Sequence, residues 1–360
     1  MTAAPFGNHP SKLDRYRSFW CREETDRPLT GFTFTGWFPL GEFAAARRWA
    51  GRRWLAPDDL EPPEFLDDHV RMVREGESVD DDLIRGAGPM QVAVPFLPGM
   101  LGCRMRILAE SILGEERDLS WEEALGVRLD PADPWYRAYM AFADALVERS
   151  QGCFPISHSA EIGPSDVHAV LRGHSQAIAD LVDEPGRSAQ LMMRAADILR
   201  ELTEAVWRCV PLYCGGWFDA QYSLWAPGPI VRLQEDASAV YSPELYRTIV
   251  QPADRALARH FANAFMHVHS TSLFLLDAFL EVEEIRCFEI NKDASGPAVA
   301  AMVPFFRKVQ DARRSLLIRG SFAPEELRSL TDSLDPRGLF LLIMVKDRRE
   351  VDALKLLLKM

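Results

Sequence analysis

Residues 338–345 read "GLFLLIMV", and after the glycine every position is apolar. A strand with one face in water alternates apolar and polar residues. This one has no polar face, so it is covered on both sides, as strands of a parallel sheet flanked by helices are. Upstream, the same texture recurs between helical stretches. "AFMHVHS" (264–270), "EIRCFEI" (284–290) and "SLLIRG" (315–320) read as strands, and 273–281, 297–312, 323–333 and 347–358 read as helices. Four strand–helix units thus fill about 95 residues.

Earlier in the chain, 186–208 carries apolar residues at helical spacing. Ser242-Pro243-Glu244 opens another helix with a cap residue, an early proline and an early acid. "PLTGFTFTG" (28–36), "MQVAVPFL" (90–97) and "CFPISHS" (153–159) are further strand candidates. About eight strand–helix units close a ring of parallel strands inside a ring of helices, so the expected fold is α/β, a (βα)8 TIM barrel. A doubly wound open sheet is the alternative, but no Gly-rich phosphate turn follows any of these strands. Residues 37–90, rich in Trp, Arg and acid, read as a helical extension near the N-terminus of a single domain spanning 1–360.

The charge balance narrows the partners. With 41 basic and 53 acidic residues the formal charge is −12, which argues against an electrostatic nucleic-acid binder. No run of about 18 apolar residues suits a membrane span, and the N-terminus lacks the apolar core of a signal peptide. Six cysteines (21, 103, 153, 209, 214, 287) are scattered without a CxxC pair, as expected of reduced thiols in a cytoplasm.

The chemistry concentrates at "FMHVHST" (265–271). Side chains at i and i+2 of a strand share a face, so His267 and His269 point the same way. The Ser-Thr-Ser that follows begins a loop, which places the pair at the C-terminal mouth where barrel active sites form. Two neutral imidazoles on one strand can bind a divalent metal such as zinc, or simply hydrogen-bond to neighbouring loops. The amidohydrolase barrels also carry such a pair, on their first strand, with further histidines later. Here no histidine follows His269, which excludes them.

The stretch "QEDASAVYSPELYRTIVQPADRALARHF" (234–261) followed by "MHVHS" resembles the uroporphyrinogen decarboxylase superfamily. So do "GPSDVHAVLRGHSQAIADLVDEP" (163–185), "LPGMLGC" (97–103) and the run from "RGSFAPEEL" to "LDPRGLFLLIMV", in that order along the chain. The resemblance implies a (βα)8 barrel and one of two activities. One branch decarboxylates uroporphyrinogen without a cofactor and carries an Arg-rich N-terminal motif, in whose place this chain has "TGFTFTGWFPLGEF" (30–43). The other branch contains zinc-dependent methyltransferases that work with corrinoid proteins and hold zinc through His-x-Cys and a distant Cys. His267 matches the histidine, His269 stands where the thiolate would be, and "LLIMVKDRRE" (341–350) has no cysteine. Two histidines and an oxygen ligand still suit a catalytic zinc with an open position, and such a site is harder and more Lewis-acidic.

Other candidates surround the pair. Asp236 in "LQEDAS" is the first choice for an oxygen ligand or base, its plain alternative being a helix or turn cap. Asp166 in "GPSDVH" and His158 at the end of "CFPISHS" belong near the same mouth, as a helix-terminal charge or a buried polar group if not as functional groups. Trp217, Tyr222 and Trp225 in "YCGGWFDAQYSLWAPG" (213–228) are expected to wall a substrate cavity, or to pack a loop. Arg319 ends "SLLIRG", where its fork could clamp a carboxylate or phosphate. Lys292 and Asp293 end the preceding strand. Cys287, flanked by apolar residues, reads as core.

The leading expectation is therefore a zinc-dependent methyltransferase acting on a small-molecule substrate. Metal would sit on His267 and His269, with Asp236, His158 and Arg319 as catalytic groups and Trp217, Tyr222, Trp225 and Asp166 binding substrate. A separate corrinoid protein or free cobalamin would carry the methyl group, and a homodimer is implied only by the resemblance. The alternatives are a metal-free decarboxylase or lyase using the histidines as acid and base, and a non-catalytic binding barrel.

Overall fold

A computed structural model describes residues 5–36, 39–91, 93–159 and 161–360. Its strands in chain order are β1 (Leu29–Thr33), β2 (Trp54–Leu55), β3 (Met105–Ile107), β4 (Ile112–Gly114), β5 (Trp217–Asp219), β6 (Leu224–Ala226), β7 (Ile230–Gln234), β8 (Asn263–His269), β9 (Ile285–Asn291), β10 (Ser315–Gly320) and β11 (Leu339–Met344). Six of them form one sheet in the order β1-β11-β10-β9-β8-β7, and every pair is parallel. The first strand therefore pairs with the last.

The sequence separates the two faces of this sheet. Met266, Val268, Phe288, Ile290, Leu316, Ile318, Leu341 and Ile343 pack into the large core that the helices cover. On the alternate positions, Phe265, Cys287, Leu317, Phe340 and Leu342 belong to a second, smaller core. That core also holds Tyr16 and Phe19 of the helix Lys12–Cys21, and Phe218, Tyr222, Leu224 and Trp225 of the antiparallel hairpin β5–β6. A strand buried on both faces explains why "GLFLLIMV" has no polar side.

Helices Leu276–Leu280, Val299–Asp311, Pro324–Ser333 and Arg348–Leu358 follow β8, β9, β10 and β11, giving the four expected strand–helix units. Helix Pro185–Cys209 matches the periodic stretch at 186–208, and the Ser242 hydroxyl caps its helix by accepting from the Leu245 N–H at 3.1 Å.

The gap between β1 and β7 holds the remaining candidates. Asp82 N–H donates to Thr30 O at 3.0 Å, and Ala87 makes a single parallel bridge to Ile156. This six-stranded parallel arrangement is compatible with an α/β barrel. "CFPISHS" supplies one bridge rather than a regular strand. "MQVAVPFL" is not a strand: Met90 and Gln91 adopt φ of 47° and 45°, and Phe96–Met100 is helical. Pro95 accounts for part of this, because it removes a ladder donor and starts a helix well. The Val92 of that stretch, like residues 37 and 38 of the expected extension, lies outside the described residues. Residues 39–78 form short 3-10 turns, the helix Leu66–Arg74 and the strand β2, which joins β3 and β4 in a small antiparallel sheet. Among the described residues no helix is long and apolar enough to cross a membrane.

Candidate metal centre

Parallel register sets the centre of the site. Gln234, His267 and Glu289 are direct neighbours on β7, β8 and β9, and His269 lies beside Asn291. Adjacent strands stand about 4.8 Å apart, so a side chain in one row reaches the next without a loop. His267, 6% exposed, bonds through Nδ1 to Oε2 of the fully buried Glu289. The Tyr222 hydroxyl lies 2.9 Å from the same nitrogen. Tyr222 comes from the tip region of the β5–β6 hairpin, and its ring stacks on His267 with centroids 5.8 Å apart.

His269 is held in the same way by a different group. Its Nδ1 lies 2.8 Å from Oδ1 of Asp293, in the loop after β9. Asp293 is itself fixed by Ser270, whose backbone N–H and hydroxyl donate to Oδ2 at 2.7 and 2.8 Å. A carboxylate can only accept here, so each Nδ1 carries a proton, which leaves the Nε2 atoms as the positions open to a shared proton or a metal. The two Nε2 atoms then face each other at 3.3 Å. Asp236 Oδ1 lies 3.6 Å from the His269 Nε2, and Gln234 holds the other Asp236 oxygen at 2.6 Å. Ligating atoms of Asp236, His267 and His269 all lie within 4.8 Å of one another.

The local field invites a cation. Burial acts against the His269 imidazolium, but the carboxylates of Asp236 and Asp293 outweigh it and push its pKa up to about 10. Burial would lift the Asp236 and Asp293 carboxyls, yet the neighbouring histidines hold both below the usual carboxylate range. Two ring nitrogens and a carboxylate oxygen lie within 4.8 Å of one another, and carboxylates orient both rings from behind. This donor set fits zinc, with room for a further ligand.

The other candidates take separate places. Asp166 caps its own helix from Gly163 N–H at 3.1 Å and accepts from Ala237 N–H at 2.8 Å, so it anchors the loop carrying Asp236. Burial, and then the charge of Asp236, raise its pKa to about 7. His158 is buried against Trp207, its Nδ1 2.6 Å from Ser159 O and its Nε2 4.0 Å from Asp219, outside the triad. Burial lowers its pKa. Arg319 is buried, with its guanidinium 5.5 Å from the Tyr222 ring centre. Together with Thr33, Arg85, Gln91 and Gln221 it lines a narrow polar cleft of about 60 Å³.

Trp217 and Trp225 do not wall the mouth. They lie in the hairpin that precedes β7, at the end where strands begin, with Trp225 packed on Tyr16 and bonded to Tyr213 O. Only Tyr222 of that segment reaches the histidines. Lys292 pairs with Glu326 at 2.7 Å on the rim, and Cys287 is core.

Two groups of the site carried little sequence signal. Glu289 could have been suspected as a lone acid between Phe288 and Ile290 in a strand otherwise built for burial. Asp293 stood in view at a strand end, but nothing local tied it to His269.

No protein-family description and no curated protein matches the chain. Among solved structures, it superposes on a methyltransferase from Methanosarcina mazei with a TM-score of 0.60. The match covers 97% of this chain and 98% of that one at 14% identity. At that identity the likeness is one of fold: the chain shares the methyltransferase's architecture over almost the full length of both.

Proposed function

We propose that this chain is a zinc-dependent methyltransferase, a divergent member of the uroporphyrinogen decarboxylase superfamily on a closed (βα)8 barrel. The observation that carries the reading is the facing pair of Nε2 atoms 3.3 Å apart, each ring braced at Nδ1 by a carboxylate. Two ring nitrogens at that distance share a cation between them, and with Asp236 beside them they can hold a metal ion in place of a shared proton. The fold shared with a methyltransferase supports the choice of reaction class.

His267, His269 and Asp236 would hold the metal. Bound there, zinc would act as a Lewis acid that lowers the pKa of a substrate heteroatom and so makes it a nucleophile at neutral pH. The chain's own residues do the rest. Glu289 and Asp293 keep the Nδ1 protons in place and make the rings better donors. Asp166 and Gln234 hold the Asp236 loop. The β5–β6 hairpin and the helix Lys12–Cys21 fill the sheet's other end with aromatic side chains, which keeps water from entering the site from below. The methyl group would pass from a corrinoid on a separate protein or from free cobalamin to the substrate heteroatom, with the bonding pair staying on cobalt and the heteroatom's proton released to water.

Metal analysis of purified protein tests the reading. About one zinc per chain is expected in the wild type, falling below a tenth in His267→Ala and His269→Ala with the circular dichroism spectrum unchanged. Wild-type protein that stays zinc-free when prepared without chelator and supplied with zinc would sink it. The proton-bridged histidine pair of a metal-free lyase would then be favoured, consistent with the raised pKa of His269.

A further inference from the structure

A second cavity adjoins the candidate metal centre and differs from the polar cleft in chemistry. Its volume is about 380 Å³, within the usual range for small-molecule sites. Its apolar wall is built from Pro95, Pro98, Leu113, Ile162, Ala169 and Val170. These come from separate elements: the helix Phe96–Met100 and its approach, the β3–β4 hairpin, and the helix Pro164–Arg172. Gln234, Asp236 and Ala237, at the end of β7, form one edge. Asp236 is thus shared between the triad and this cavity, and its side chain is 40% exposed. Leu113 is 40% exposed at the rim, an apolar side chain left in water beside an apolar hollow.

Asp236 is the triad residue that lines this cavity, and no triad residue lines the polar cleft. Tyr222, which bonds His267, is flanked by Gln221 and Ser223 in the wall of the polar cleft, whereas Asp236 opens onto the apolar one. We propose that the cavity beside Asp236 binds an alkyl or aryl group of the small-molecule substrate, with the substrate's heteroatom directed at the triad. The orientation of that heteroatom rests on the metal reading. The cavity's affinity for an apolar group does not.

The test uses N-phenyl-1-naphthylamine, a neutral apolar fluorophore that brightens on leaving water, titrated into the protein as purified and after zinc loading. Saturable binding at one site is expected in both. Leu113→Arg and Ile162→Lys, at positions that are not fully buried, should weaken it about tenfold or more by bringing a charge to an apolar wall. Leu108→Arg, at a 36% exposed position on a different cavity, should leave it unchanged. The absence of saturable binding, or a loss caused by Leu108→Arg and not by Leu113→Arg, would overturn the proposal. So would a dimer that Leu113→Arg dissociates, because the patch would then be covered by a second copy. Zinc content of each variant separates the two readings. Probe binding without zinc retention fails the metal centre alone, and zinc retention without probe binding fails the cavity alone. In zinc-loaded protein, benzyl mercaptan should bind about tenfold tighter than ethanethiol. Equal affinities would overturn the shared orientation.

Discussion

At the scale of single residues, the two carboxylates behind the histidines are not equivalent. Glu289 is fully buried and lies in register with His267, whereas Asp293 is partly exposed and sits in a loop. Groups that orient a metal ligand in this way typically change metal affinity 10–100-fold when replaced. Glu289→Gln is therefore expected to weaken zinc by about that range, and Asp293→Asn by about tenfold or less because water can replace it. Competition with a chromophoric chelator measures both. Equal affinities in wild type and Glu289→Gln would mean that Glu289 is a buried polar group without a role at the metal. The sequence displayed the candidate ligands but not their pairing with these carboxylates, since a period of two fixes which way a side chain points and says nothing about the strand beside it.

At the scale of elements, the position of Asp236 depends on a close approach of two backbones. A Cβ on Gly163 would lie 1.4 Å from Gln234 O and 2.6 Å from Gln234 C, and a backbone carbonyl cannot swing aside as a side chain can. Gly163→Ala must therefore move either the start of helix Pro164–Arg172 or the end of β7, and Asp236 goes with them. The expected outcome is a stability loss of about 2–4 kcal/mol in urea unfolding, together with weaker zinc binding. Zinc affinity equal to wild type would show that the end of β7 has stayed in place, and equal affinity in Asp236→Ala would show that Asp236 is not a ligand. The same scale explains how the β5–β6 hairpin departs from its expected role. Its aromatics were legible as a cavity-forming group, but its place before β7 put Trp217 and Trp225 at the end where strands begin. Tyr222 alone extends far enough along the sheet interior to meet His267.

At the scale of the whole molecule, the first strand finds its partner at the far end of the chain. β1 pairs with β11 from Leu29–Phe340 to Thr33–Met344, and Ser315 Oγ donates to Phe19 O at 2.8 Å. Contacts this distant in sequence are slow to form and have no local substitute. A chain ending at residue 337 leaves β1 without that ladder and uncovers Leu316 and Ile318. It is expected to lose the cooperative thermal transition followed by circular dichroism, and a truncated protein melting within a few degrees of the full chain would contradict this. The strand–helix alternation of the last 95 or so residues was readable because each unit carries its own pattern. The region between β1 and β7 was not, because a single bridge at Ala87–Ile156 leaves no periodic signature.

Two things were determined by the sequence alone. The uninterrupted apolar strand at 338–345 required cover on both faces, and the spacing of His267 and His269 put both imidazoles on one side of one strand. Both follow from local geometry, which depends only on neighbouring residues. The tertiary structure decided what meets those rings. Strand register brought Glu289 beside His267, a loop after β9 carried Asp293 to His269, the end of β7 presented Asp236, and a hairpin delivered Tyr222. These partners lie 22, 24, about 33 and 45 residues away along the chain. At such separations position is set by how the sheet and its loops pack, and no periodicity of the sequence encodes it.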